Sequence, residues 1–322
     1  MRIGLAVDLS SAHPVRAQVD HTVALLAHAE ANGLDSVWVG ESYHRQPEAF
    51  HLPASLIVLG HLAGRTRLHL GTAVLLLRAH PPERLAYEAA LLDQLCEGRF
   101  TLGIGLGAPE VGRRAGVSTG APAGPAFDAA LAILRAAWSD LPSAGPDGVR
   151  AVPAPVQRGG PRILVGGKTA ASVRRAADLA DGFYGATNYT DGLLATQAAA
   201  FWARRGEQAH EAPGEVATTR FCLVHEDPAT ARALAARYFA PALDYYTGRG
   251  AWVGADGPAA VELPLVGSPA EVAAAVARYA RAGVTSLQLR VAPVGTPAEI
   301  AHRTISLVGD HVVPPTDAGD AG

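Results

Sequence analysis

Two kinds of apolar segment alternate along this chain. Short, nearly continuous apolar runs fall at 3–8, 36–40, 68–74, 100–105, 162–166, 182–186, 219–225 and 286–291. Between them lie longer Ala- and Leu-rich stretches at 15–31, 52–63, 83–95, 126–138, 170–179, 193–205, 228–238 and 271–282, with one more at 297–308. Apolar positions in the longer stretches recur every three or four residues, the period of a helix with one buried face. The short runs lack strict alternation, as expected of strands covered on both sides. Eight such strand–helix units predict the α/β class and a (β/α)8 TIM barrel, with 1–313 as one domain.

Local end signals support the helix boundaries. Asn32-Gly33 closes the first helix, Cys96-Glu97-Gly98 closes the third, and Ser268-Pro269 opens the eighth with a cap and a first-turn proline. Two stretches interrupt the rhythm. The segment 141–161 is crowded with Pro and Gly, and 239–264 carries Tyr245, Tyr246 and Trp252. Both read as insertions in the barrel, the second as a candidate cover for its mouth. The tail 314–322 has no apolar anchor and is expected to be disordered.

Composition narrows the partners more than the fold. With 49% hydrophobic and 18% charged residues among 322, the chain has enough apolar material for a buried core. A formal charge of -3 and the absence of any Lys/Arg run argue against nucleic acid or an anionic membrane, and leave small molecules. The N-terminus enters a strand directly, with Asp8 in its first ten residues, and no apolar stretch reaches the ~20 residues of a spanning helix. Two cysteines, Cys96 and Cys222, cannot make a disulfide framework, so a reducing cytoplasm is expected. Lys168 is the only lysine.

In a barrel of this kind chemistry belongs on the loops leaving the C-terminal strand ends. After the second strand comes Gly40-Glu41-Ser42-Tyr43-His44-Arg45, where Glu41 and His44 are the leading acid–base candidates; an ordinary polar loop is the plain alternative. Gly166-Gly167-Lys168-Thr169 joins a strand to a helix, where free N–H groups and the helix dipole can hold a phosphate. It is not a P-loop, because Arg162 stands where that motif needs glycine, and a simple chain-reversing turn is the competing reading. Gly103-Ile104-Gly105-Leu106-Gly107 is followed by Pro109, Gly112 and further breakers, which rules out a dinucleotide fingerprint. Its glycines instead let backbone approach a ligand closely. The remaining histidines form no metal-ligand spacing, so no metal is expected.

Taken in order, Gly33-Leu34-Asp35-Ser36-Val37-Trp38, Ala79-His80-Pro81, Leu91-Leu92-Asp93-Gln94-Leu95, Gly98-Arg99-Phe100 and the glycine run at 103–107 resemble the luciferase-like flavin oxidoreductases. The likeness continues through 161–169, 180–183, 267–271 and 283–285, so it covers nearly the whole chain. The resemblance implies a flavin or deazaflavin at the barrel mouth, backed by a non-prolyl cis peptide within Thr72-Ala73-Val74. Asp8, Gly71, Thr72, Ala73, Val74, Gly105, Leu106, Gly107, Gly166, Gly167, Lys168 and Thr169 then become cofactor-binding candidates. Ser42, Tyr43, His80, Glu110, Tyr246 and Trp252 become substrate-side candidates.

The chain departs from its relatives at two points. Many carry His directly after the rim acid, where this chain has Ser42, and Glu110 falls near, not on, a rim carboxylate of some deazaflavin enzymes. The resemblance places hydride transfer with coenzyme F420 first, as in the methylenetetrahydromethanopterin reductase branch, with the rim acid moving the paired proton. Ala79-His80-Pro81 pulls towards the alternative, an FMNH2-dependent monooxygenase using O2. A flavin-binding barrel without turnover is the third reading. The resemblance also implies a homodimer and a separate reductase that supplies reduced cofactor.

Overall fold

The computed structural model describes residues 1–10, 13–43, 54–115, 117, 123–139, 151–207, 213–293 and 295–313. The first half of the chain runs β1 (Arg2–Val7), α1 (Val15–Ala31), β2 (Ser36–Val39), α2 (Ser55–Ala63), β3 (His69–Thr72), β4 (Leu75–Leu76), α3 (Pro82–Leu95), β5 (Phe100–Gly105), α4 (Pro109–Arg114) and α5 (Ala123–Trp138). There follow β6 (Arg162–Gly166), α6 (Ala170–Leu179), β7 (Gly182–Gly185), α7 (Asp191–Gly206), β8 (Glu215–Val224), α8 (Pro228–Tyr238) and α9 (Ala240–Thr247). The chain ends with β9 (Val253–Gly254), β10 (Gly257–Pro258), β11 (Leu265–Gly267), α10 (Pro269–Arg281), β12 (Ser286–Arg290) and α11 (Ala298–His311).

Eight parallel strands close into a ring in the order β1, β2, β3, β5, β6, β7, β8, β12, with β12 pairing back onto β1. These are the eight strands the apolar runs predict. Alternation along each strand sorts the side chains into two sets. Ile3, Leu5, Val37, Val165, Leu287 and Leu289 pack in one large cluster with helix residues such as Leu26, Ala89 and Ile305. Trp38, Leu164, Tyr184 and Ala217 form a separate cluster inside the ring.

Local chemistry sets the boundaries. Ser268 and Glu271 make a complete capping box at the start of α10, with Pro269 in its first turn. Thr190 caps α7, which therefore begins two residues before the apolar period does. The third strand does not run to Val74 as the sequence suggests: it stops at Thr72, the Ala73–Val74 peptide is cis, and pairing with β5 resumes at Leu75. β8 starts at Glu215, four residues earlier than the apolar run, because its buried polar positions hide it from a hydropathy reading. The stretch 239–264 contains a helix, α9, and a two-stranded hairpin of β9 and β10, which turn-rich composition conceals. Residues 141–150 of the first insertion and the tail 314–322 lie outside the described residues. No described helix is long and apolar enough to cross a membrane.

His69 begins β3 at the N-terminal end of the ring, far from the strand exits, and its Nε2 lies 2.7 Å from Thr101 Oγ1. Burial, reinforced by the charges of Arg2, Arg99 and Arg162, pushes the imidazole down to about 4. Unfolding restores an ordinary pKa near 6.5, so the unfolded chain binds a proton between pH 6.5 and 4 that the folded chain refuses. Stability is therefore lost as pH falls through that window. His69→Gln is expected to remove up to roughly 3 kcal/mol of this dependence. Denaturant titrations of both proteins at pH 7 and pH 4.5 check it; parallel losses in the two contradict it.

Candidate active site

Parallel closure turns every strand exit to one face, and a cavity of about 610 Å³ opens there. That is within the range of roughly 300–1,000 Å³ typical of small-molecule sites. The ring interior beneath it is filled. The Trp38 indole is 1% exposed, donates to Ser36 Oγ at 3.1 Å and lies 5.6 Å from the Tyr184 ring. Gly71 makes room for Trp38, since a Cβ there would meet the indole at 2.2 Å. The cavity thus has a solid floor.

One wall is built from glycines and small apolar side chains. The cis Ala73–Val74 step presents Ala73 and Val74 to the cavity, and Gly105, Leu106, Gly107 and Gly166 follow around the rim. A Cβ on Gly105 would sit 2.9 Å from Val74 Cγ2, so glycine at this position leaves room for the Val74 side chain. Gly107 adopts φ +75°, the left-handed conformation glycine tolerates best.

Beyond that wall, β6 ends in a turn onto the N-terminus of α6. Gly166, Gly167, Lys168 and Ser172 line the cavity. Gly167 has φ +157°, and a Cβ there would collide with Ser172 Oγ at 2.4 Å. Thr169 caps the helix by accepting from Ser172 N at 3.2 Å. Lys168 and Ser172, whose hydroxyl lies 2.8 Å from Thr169 Oγ1, thus line the cavity beside the N-terminus of α6, a setting suited to a phosphate.

The acid on the opposite rim is fully buried. Glu41 Oε1 lies 2.9 Å from His80 Nε2, and Oε2 accepts from Ser55 Oγ at 3.2 Å, while the carboxylate side chain has no exposed surface. His80 enters from the loop before α3, so the imidazole that faces this acid comes from 39 residues downstream. Tyr43 turns away into a groove beside α2 and α3. Burial, together with the charge of Glu41, raises its phenol pKa. Ser42 is buried and hydrogen-bonds Tyr245 of α9.

Sequence reasoning missed a buried ion pair at the mouth. Arg290, at the end of β12, is 2% exposed, and its Nη2 and Nε donate to Asp8 Oδ2 at 2.6 and 3.1 Å. Its Nη1 donates to the Tyr246 hydroxyl at 3.1 Å, and its guanidinium stacks 4.3 Å above the Phe221 ring. Burial opposes the guanidinium charge, but Asp8 and Tyr246 outweigh it and hold the pKa above its ordinary value. Ser286, Gln288 and Arg290 occupy alternate positions of one strand, a polar period that marks an inward face and was the available signal. Tyr184, Asn188, Tyr189 and Thr219 also line the cavity without having been singled out.

Of the residues expected to hold a cofactor, Ala73, Val74, Gly105, Leu106, Gly107, Gly166, Gly167 and Lys168 meet at the cavity. Asp8, Gly71, Thr72 and Thr169 do not line it: Asp8 faces Arg290, Gly71 packs on Trp38, Thr72 Oγ1 donates to Gly103 O, and Thr169 caps α6. Glu41 and Tyr246 reach the cavity, whereas His80 stands behind Glu41. Trp252 is buried against Phe221, Phe239 and Tyr246, because burying the indole anchors the insertion. Glu110 lies on the exposed face of α4, paired with Arg113 at 3.0 Å. His44 lies outside the described residues. Cys96 and Cys222 are buried, and burial lifts their thiols to about 11 and about 12, which keeps them protonated.

A wall of glycines and small apolar side chains, packing beneath it and a polar turn at the start of α6 would fit a planar ring carrying a phosphate. Monooxygenase RslO1 from Streptomyces bottropensis superposes with a TM-score of 0.79 at 22% identity, covering 98% of this chain and 99% of that one. The FMN complex of the oxygenating constituent of 3,6-diketocamphane monooxygenase, a type II Baeyer-Villiger enzyme from Pseudomonas putida, gives 0.77 at 20% identity, covering 98% of each chain. At these identities the likeness speaks for the fold. F420-dependent glucose-6-phosphate dehydrogenase of Kineococcus radiotolerans is 44% identical over 85 residues, 24% of this chain and 24% of that protein. The matches to this and other curated relatives span only 16% to 29% of those proteins' length. The profile described as Luciferase-like monooxygenase matches residues 1–310, and the chain therefore belongs to that family of enzymes.

Proposed function

We propose that this protein is an oxidoreductase that binds reduced FMN at the barrel mouth and uses O2 to oxygenate a small organic molecule. The observation that carries this reading over F420-dependent hydride transfer is the Glu41–His80 pair. His80 belongs to the luciferase-like Ala79-His80-Pro81 element and faces the buried rim acid, whereas Glu110, the nearest match to a deazaflavin rim carboxylate, points into solvent.

When bound, reduced flavin supplies two electrons and activates oxygen. The protein's part is binding, orientation and proton movement. Gly166, Gly167, Lys168 and Ser172 would hold the FMN phosphate, and Ala73 and Val74 would support its ring above the packed Trp38 and Tyr184. Glu41 lines the cavity, and its contact with His80 Nε2 gives a proton at the rim a second site 2.9 Å away. Tyr246 and the insertion that carries it shield the mouth from water. In this reading a separate reductase delivers the reduced flavin. Two copies pair through the apolar side chains that α2 and α3 leave exposed, namely Ile57 (76%), Leu91 (48%) and Leu95 (56%).

Hydride transfer with F420 is the second reading, favoured by the 44% identical segment shared with an F420-dependent dehydrogenase. The two separate cleanly: the oxygenase consumes O2 in step with product, and the dehydrogenase reduces F420 without oxygen.

Two outcomes follow. Lys168→Met is expected to weaken FMN binding roughly 10- to 100-fold while leaving riboflavin, which lacks the phosphate, unchanged; quenching of flavin fluorescence reads both. Equal losses for the two ligands place the phosphate elsewhere. Glu41→Gln is expected to lower the rate of substrate-dependent O2 uptake by about 10² to 10⁴ with FMN affinity within a few-fold of the parent. A variant as fast as the parent denies Glu41 any role in proton movement.

A further inference from the structure

Arg290 carries more hydrogen-bonding capacity than the protein uses. A guanidinium has five N–H donors. Three of them are spent on Asp8 and the Tyr246 hydroxyl, which leaves two without a partner among the described residues. The side chain lines the cavity at the strand exits, on the side of the ring across from Lys168, since β12 and β1 face β5 and β6 across the barrel. Stacking on Phe221 and the contact with Tyr246 hold the plane in place, so the spare donors are already oriented.

A buried donor without an acceptor is costly, and a ligand oxygen that satisfies it gains that energy on binding. The charge balance decides which oxygen. Asp8 already neutralises Arg290 at 2.6 Å with both side chains almost completely buried. A carboxylate or phosphate placed here would add an uncompensated negative charge to a low-dielectric site, whereas a carbonyl oxygen accepts the same hydrogen bonds and brings no charge.

We infer that Arg290 and Tyr246 form a substrate subsite that recognises the carbonyl oxygen of an uncharged, largely apolar ketone-type molecule. The subsite rests on the proposed oxygenation reading for its meaning as a substrate site, but its ligand preference is a property of the protein alone. Asp8 acts here as a positioning residue: it fixes the guanidinium plane and cancels its charge. Tyr246 fixes the other end of the fork from the insertion, so α9 both covers the mouth and completes the subsite.

The test compares 2-tetralone with tetralin and tetralin-2-carboxylate, measured by calorimetry on the full protein without cofactor. The ketone is expected to bind roughly 10- to 100-fold tighter than the hydrocarbon, and tighter than the carboxylate. The charge-neutral double variant Asp8→Asn/Arg290→Gln should lose that preference. Carbonyl-¹³C-labelled 2-tetralone bound to the unmodified protein should show a downfield carbonyl resonance, which needs no variant to fold. Equal affinity for ketone and hydrocarbon, tighter binding of the carboxylate, a preference that survives the double variant, or an unshifted carbonyl each overturns the inference. Ketone preference in a protein that does not bind FMN overturns the proposed function and spares the subsite. FMN binding without ketone preference does the reverse.

Discussion

Ile3 and Leu5 of β1 stand in register with Leu287 and Leu289 of β12, and Leu287 and Leu289 with Thr218 and Arg220 of β8. Those ladders close the sheet on itself, and closure constrains everything above it. Once the ring is shut, all eight parallel strands must leave through one face, and residues 39 or 282 positions apart in sequence become neighbours there. Closure also forces half of each strand's side chains inward, where Trp38, Leu164 and Tyr184 fill the space and give the cavity its floor. An open sheet with the same helices would have neither a mouth nor a floor.

Charge is distributed around that mouth in separate compartments. Lys168 stands beside the helix N-terminus on one side, Glu41 is buried against His80 and Ser55 on another, and Arg290 is cancelled by Asp8 on a third. The Lys168 cation on one side and the neutral Asp8–Arg290 pair across from it suit a molecule that is anionic at one end and needs only hydrogen bonds at the other. The insertion links two of these compartments, because adjacent tyrosines of α9 reach different strands: Tyr245 bonds Ser42 after β2, and Tyr246 bonds Arg290 on β12.

The parts of this structure that were legible in the sequence are those encoded locally. Strand positions follow from short apolar runs, α10 from its cap, and the turn from β6 onto α6 from the glycines placed between a strand and a helix. The cis step at Ala73–Val74 came from family resemblance, since Gly71 to Val74 is equally compatible with a regular strand. What stayed hidden depends on closure. Glu41 was singled out by position, but its imidazole partner could not be read from the neighbouring Ser42, because His80 arrives from another loop. Trp252 looked like a ligand-facing aromatic and instead anchors the insertion, a distinction set by packing with Phe221 and Phe239. Arg290 was legible in principle from the polar alternation of β12 but lies within a run that reads as apolar overall.

The account stands on the cavity bounded by the Ala73–Val74 wall, the Trp38 floor and the Lys168 cradle being the seat of the cofactor. A crystal structure of the protein grown with FMN tests this most directly. The account predicts electron density for a ring lying against Ala73 and Val74, with the phosphate within hydrogen-bond reach of Gly167, Lys168 and Ser172. Density for the ring in another pocket, or a phosphate bound away from the start of α6, would contradict it.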